Sequence, residues 1–245
     1  MDRKMLKSRA KEVLKKHYIK LLGFTFVTVV LGLSFVGFTA KTDAYTYATN
    51  YYFTVFGLSF KMNPTGFMMT LVGCYLIVSV IFAIAVNPAL NYGLLNAYKH
   101  ASNDELDNYN LFKGFKSNYK NIVVVNFMKS LYVALWTLVF IVPGIIKSYQ
   151  WRYTHQILEE HPDWDYKKVL EASENMTNGH KMDLFVLDLS FIGWYFLFGL
   201  LSVLTLGFAN YLLMPYVQQT DAEAYHWLNS LQNPEVLDVE AEIIE

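Results

Sequence analysis

Four long apolar runs divide the chain. They are Tyr18 to Ala40, Phe67 to Leu90, Ile122 to Ile146 and Leu184 to Tyr216. About 20 mainly apolar residues are needed to cross the hydrocarbon core of a bilayer as a helix, and each run is long enough. The fourth is too long for a single untilted helix, and Gly199 and Gly207 mark where it could fold back into two short spans. The pattern predicts an all-α polytopic membrane protein with four to six transmembrane helices. The first run begins only at Tyr18 and ends on "FTA", a poor cleavage site. It therefore reads as a retained span and not as a secretory signal.

The polar segments between the runs set the expected organisation of one integral membrane domain, 1–245. Residues 1–20 carry Arg3, Lys4, Lys7, Arg9, Lys11, Lys15, Lys16 and Lys20, while Leu6, Ala10, Val13, Leu14 and Leu21 share one helical face. A basic amphipathic helix of this kind lies on an anionic membrane surface. The excess of lysine and arginine places this end in the cytoplasm of a plasma membrane. Residues 41–66 are then an outer loop, rich in Tyr and Phe. Either its aromatic rings sit at headgroup level or it forms a short β-hairpin or lid. Residues 91–121 return inside with Lys99, Lys113, Lys116 and Lys120. Residues 147–183 mix both signs of charge, so their side is left open, and 229–245 form an acidic tail.

A weak internal repeat bears on that open side. Three apolar runs end near a proline, in "VNPALNYGLLNAY", "IVPGIIKSYQWRY" and "LMPYVQQTDAEAY". Tyr98, Tyr153 and Tyr225 each follow Pro88, Pro143 and Pro215 at the same offset. This pattern suggests three helical hairpins, each leaving the cytoplasm and returning to it. Pro88, Pro143, Gly144 and Pro215 are the candidate structural breaks. The third run would fold back near Pro143, with Lys147 and Arg152 at headgroup depth.

Composition agrees with the runs. The chain is 54% hydrophobic and only 17% charged, against about 25% charged in a soluble domain. A formal net charge of -1 and the lack of a basic patch interleaved with aromatics exclude a nucleic-acid partner. The one cysteine, Cys74, excludes an internal disulfide or a cysteine-based zinc site, and its apolar setting predicts a buried, inert thiol.

Ionisable residues inside apolar runs are candidates for function. Lys129 lies near the middle of the third run and Asp188 near the start of the fourth. A Lys129–Asp188 pair would neutralise both charges and could serve a proton or ion relay, or simply hold helices together. His155 and Glu159 are four residues apart and would share a helical face, which makes them weak candidates for a divalent metal. They lack the H-E-x-x-H pattern, so a solvated helix end is the plainer reading, broken by Pro162 and restarted with Asp165 as N-cap. Gly179 reads as a helix stop. The chain has no dinucleotide fingerprint, no P-loop and no nucleophile elbow, so no cofactor and no catalytic residue is assigned. The five tryptophans read as anchors and packing groups.

The stretches "LWTLVFIVPGIIKSY", "ASENMTNGHKMDLFVLDLSFIGWYFL" and "LLMPYVQQTDAEAYHWL" resemble the DUF975 family of bacterial integral membrane proteins, found mainly in Firmicutes. The similarity runs from about Leu111 to Leu228, and "LKSRAKEVLKKHYIKLL" resembles the family's opening. The long Tyr-rich outer loop departs from the family pattern. The resemblance implies a multispan bacterial membrane protein and transfers no catalytic residue. Two functional classes follow. One is a non-enzymatic membrane protein serving envelope homeostasis or scaffolding, with anionic lipids and a membrane-protein partner or a second copy as its contacts. The other is a small transporter or exporter component built on Lys129 and Asp188.

Overall fold

The computed structural model describes residues 1–36, 51–55, 58–62, 64–107, 109–116, 118–205 and 209–232. Residues 41–50 of the expected outer loop, Gly207 and residues 233–245 of the expected tail lie outside them. The chain divides into two compact units, Val29–Asn87 and the remainder, Met1–Thr28 with Pro88–Glu245.

The smaller unit contains a β-hairpin. β1 (Tyr51–Val55) and β2 (Leu58–Met62) pair antiparallel, with Tyr51 opposite Met62 and Val55 opposite Leu58. The segment "YYFTV" consists of aromatic and β-branched residues, which favour a pleated strand over a helix. Of the two readings open for the outer loop, the structure therefore takes the hairpin. This sheet is the one exception, among the described residues, to the all-α expectation.

The rest is helical. α1 (Arg3–Val36) is a single helix, whereas the sequence pattern separated a surface helix from a first span. Asp2 starts it by accepting the Lys4 backbone N–H at 2.9 Å. Leu6, Ala10, Leu14 and Leu21 are buried, with Val13 only half-buried. That face packs on protein instead of lying on lipid. Leu6 joins a core with Tyr153 and Tyr225, while Leu14 and Leu21 join a second core with Tyr98.

α2 (Pro64–Ser102) contains Pro88, and α10 (Ala209–Gln232) contains Pro215. Neither proline ends its helix, which corrects two of the expected breaks. A proline inside a helix removes one hydrogen bond and bends the axis, and neighbouring helices can absorb that cost. The third break is real but displaced. α4 (Tyr119–Val139) stops at Phe140, whose backbone is extended, and α5 (Ile141–Gln150) begins immediately after it. Pro143 sits in the first turn of α5, where a missing N–H costs nothing. α5 packs back against α4 at Gly144, where a Cβ would collide with Thr137. Glycine is thus required at that crossing by sheer lack of room.

α3 is a single turn (Lys113–Lys116), and α6 (Thr154–Glu160) ends before Pro162 as expected. α7 (Tyr166–Thr177) follows Asp165, which occupies the N-cap position in extended backbone but makes no side-chain capping bond. Gly179, at φ 82°, closes the α7 end in the left-handed region that glycine favours. α8 (Lys181–Leu189) and α9 (Ile192–Leu204) carry the chain toward α10.

Three stretches among the described residues are long and apolar enough to cross a membrane: Gly73–Ser102, Tyr119–Val139 and Lys181–Ser202. Leu76, Ile77, Val80 and Ile81 on the first are exposed. Cys74 is exposed beside them, which corrects the expected buried thiol. On a membrane-crossing helix an outward apolar face meets lipid, so an apolar environment for Cys74 does not require burial in protein.

Candidate functional site

The Tyr98, Tyr153 and Tyr225 set picked out by the proline repeat is fully buried, and each hydroxyl finds a polar partner. Tyr98 bonds Thr25 at 2.6 Å, Tyr153 donates to Asp221 at 3.1 Å and Tyr225 donates to Glu160 at 2.7 Å. The rings of Tyr153 and Tyr225 lie 5.4 Å apart. A buried phenol needs a partner for its hydroxyl, so Tyr153 and Tyr225 draw ionisable groups into the core. Two charge hubs result.

The first hub centres on Arg152, in the short non-helical link between α5 and α6. Its Nη1 and Nη2 donate to Asp188 Oδ2 and Oδ1 at 2.7 and 2.9 Å, and its Nε meets Asp221 Oδ1 at 2.7 Å. The guanidinium fork matches a carboxylate in this two-pronged way and leaves its Nε–H for a second acid. Tyr149 donates to Asp188 Oδ2 at 2.7 Å. Asp221 is the more enclosed acid, 13% exposed against 36% for Asp188. Burial pushes the Asp221 carboxyl up from its ordinary value, while the Arg152 charge pulls it back down.

Lys129 and Asp188, paired in expectation, form no ion pair with each other. Asp188 is taken by Arg152, whose fork fills both of its oxygens. The Lys129 ammonium approaches Thr154 Oγ1 at 3.4 Å and lies within electrostatic reach of Arg152 and Asp221. Lys129 thus joins the same hub from a different side, and its charge offsets the excess of acid over Arg152.

The second hub centres on Glu159 of α6. Its Oε1 accepts from His100 Nε2 at 3.1 Å and Lys113 Nζ at 2.9 Å, and Lys99 Nζ lies 3.6 Å from Oε2. Lys99 also meets Glu160 at 2.8 Å. The Glu159 side chain is only 7% exposed. Burial alone would raise its carboxyl pKa, but the His100 and Lys113 bonds override this and hold it down at about 2. Next to it, Gln219 donates to Ser102 at 2.7 Å, and Ser102 donates to Glu223 at 2.7 Å.

His155 and Glu159, the weak metal candidates, do not converge on one point. Glu159 turns to the three basic groups. His155 is buried, its ring nearly perpendicular to that of Tyr92 with centroids 6.2 Å apart. Burial, helped by the Lys129 charge, lowers its pKa to about 3, so it is neutral at ordinary pH. Among the described residues no group of three or more His, Cys, Asp or Glu side chains is placed to hold a metal.

Sequence reasoning missed Arg152 as a hub, since it assigned that residue to headgroup depth. It also missed Asp221, Glu160 and the three basic partners of Glu159. The proline-to-tyrosine offset was the available signal, because two of the three tyrosines bond directly to hub carboxylates.

The model of the DUF975 family, described as a protein of unknown function, matches residues 138–232. That segment holds Arg152, Glu159, Asp188 and Asp221. No curated protein and no solved structure matches the chain.

Proposed function

We propose, from the match of residues 138–232 to the model of the DUF975 family, that the chain is a non-enzymatic polytopic protein of the bacterial plasma membrane. Its role is envelope homeostasis or the organisation of membrane partners. The observation that carries this reading is that the charges of both hubs are engaged within the chain. Arg152, Asp188, Asp221, Glu159 and Lys99 are each engaged by other groups of the same chain. A catalytic acid, base or nucleophile must instead face a substrate-sized space with a free valence. Hubs of this kind fix how helices meet, which is the work of a scaffold.

A second reading, a small transporter or exporter component, is favoured by Lys129. This cation sits in a candidate span with Arg152 and Asp221 within electrostatic reach, and intramembrane charges often mark ion pathways. One experiment separates the two. A deletion strain is grown across cationic peptides, cell-wall antibiotics, ionophores and salt, and complemented at equal expression by wild type or by Lys129→Met. The scaffold reading expects both to rescue the same stress. Rescue by wild type alone would overturn it in favour of transport.

A further inference from the structure

Lys7, Lys11, Lys15, Lys16 and Lys20 follow one another along α1, but they are not equivalent. Lys16 pairs with Asp104, and Lys20 pairs with Asp107 at 3.4 Å. Lys7 donates to the Ser190 carbonyl at 3.2 Å and lies 4.0 Å over the Phe191 ring. Lys11 and Lys15 have no carboxylate partner among the described residues; Lys11 meets only the Tyr216 ring, at 5.8 Å. These two cations line a concavity of about 520 Å³ with Tyr18, Trp194 and Tyr216. Tyr and Trp are the side chains that settle at the headgroup level of a bilayer.

A second concavity, of about 400 Å³, is lined by residues further along the same three helices, α1, α9 and α10. It is lined by Leu22, Gly23, Phe26, Leu201 and Leu212 among others, and its surface is almost wholly apolar. Tyr18 joins the two by donating to the Leu212 carbonyl at 3.1 Å. The order of residues agrees on all three helices. Lys11, Trp194 and Tyr216 lie at the polar end, while Phe26, Leu201 and Ala209 lie at the apolar end. The α1 stretch from Lys11 to Phe26 rises about 22 Å, enough to reach from a headgroup through one hydrocarbon leaflet of about 15 Å.

We propose that this two-part groove is a binding site for one anionic phospholipid. Its phosphate is held by Lys11 and Lys15, and one acyl chain lies along Leu22, Phe26, Leu201 and Leu212. Two adjacent unpaired ammonium groups select an anion. The apolar channel that follows them selects a lipid over a free phosphate. The aromatic residues Tyr18, Trp194 and Tyr216 frame the junction, where an ester-linked glycerol would sit. The site is independent of whether the protein scaffolds or transports.

The test is native mass spectrometry of the full chain in neutral detergent, titrated with dioleoyl phosphatidylglycerol or dioleoyl phosphatidylcholine. One phosphatidylglycerol is expected to be retained in preference to phosphatidylcholine. Lys11→Gln with Lys15→Gln should weaken that binding about 30-fold, the scale of two surface cations. Lys4→Gln with Arg9→Gln removes the same charge from exposed positions outside the groove and should leave binding within about threefold. Gly23→Leu fills the apolar end, since a Cβ there meets nothing within 4 Å, and should cost about tenfold with every cation in place. Unchanged melting in lipid-free detergent shows that each variant is folded. Equal retention of phosphatidylcholine would overturn the proposal in favour of a groove that does not select charge, and equal losses from the two charge pairs would overturn it in favour of diffuse surface attraction. Full binding by the Gly23→Leu variant would overturn it in favour of a headgroup contact alone.

Discussion

The two charge hubs are built on opposite plans. At the first, one cation, Arg152, is gripped by two carboxylates, Asp188 and Asp221. At the second, one carboxylate, Glu159, is gripped by three basic side chains, Lys99, His100 and Lys113. Both join segments distant in sequence, and both use a buried tyrosine as an extra donor. They differ in what an added proton does. At the first hub, burial pushes the Asp221 carboxyl up from its ordinary value, which favours its protonated form. At the base-rich hub, Glu159 resists protonation down to about pH 2. The same kind of interaction thus responds to pH in opposite senses, according to which sign is in the minority.

The largest effect is expected from removing the minority charge of the first hub. Arg152→Gln leaves Asp188 and Asp221 facing each other without their cation. Breaking a buried ion pair from one side costs about 3–5 kcal/mol, reduced here by the partial exposure of Asp188. Denaturation in mixed micelles at pH 7 should show the loss, and adding Asp221→Asn should recover part of it. A double variant as unstable as the single one would mean that the two acids do not repel, and the comparison between hubs would fail.

Next comes the minority charge of the second hub. Glu159 has a folded pKa of about 2 against an ordinary value of 4.5. A carboxyl depressed on folding stabilises the protein fully above its unfolded pKa, and that stabilisation is lost as pH falls through the folded value. The window is therefore pH 4.5 down to 2, and the contribution above it is about 3 kcal/mol. Glu159→Gln should lower stability by that order at pH 7, and the gap from wild type should close as pH approaches 2. A gap that stays constant across the window would show that packing, and not charge, accounts for the loss.

The tyrosine donors give the smallest and most discriminating pair. Tyr153→Phe removes a donor from Asp221, which is enclosed at 13% exposure. Tyr225→Phe removes one from Glu160, which is 34% exposed and retains Lys99. A hydrogen bond to a charged group contributes about 1.5–3 kcal/mol when buried. The first change should cost about 2 kcal/mol and the second less than about 1 kcal/mol, read by the same denaturation. Equal costs would show that the hubs are energetically alike despite their opposite composition.

Much of the helical framework was legible before any coordinates. The apolar runs became helices, Pro162 ended α6, and Gly179 closed the end of α7. Each of these depends on local properties: side-chain period, a missing N–H or a backbone angle that only glycine tolerates. The merger of the basic N-terminal segment with the first run into α1 was less legible. An amphipathic face looks the same whether it will meet lipid or protein. The break in the third run was placed at Pro143 instead of Phe140, since a proline in a first turn is compatible with a helix that has just begun.

Local pattern is enough to mark the helices of membrane-crossing length and to show that Tyr98, Tyr153 and Tyr225 recur after a proline. It does not say which charges meet. Lys129 and Asp188 were the obvious pair on composition and depth, yet Asp188 lies with Arg152, and Glu159 gathers bases from α2 and α3. Periodicity along a helix fixes which face a residue occupies, because that is a matter of neighbours a few residues away. The partner across a helix interface depends on how separate helices cross and rotate, and no local pattern encodes that.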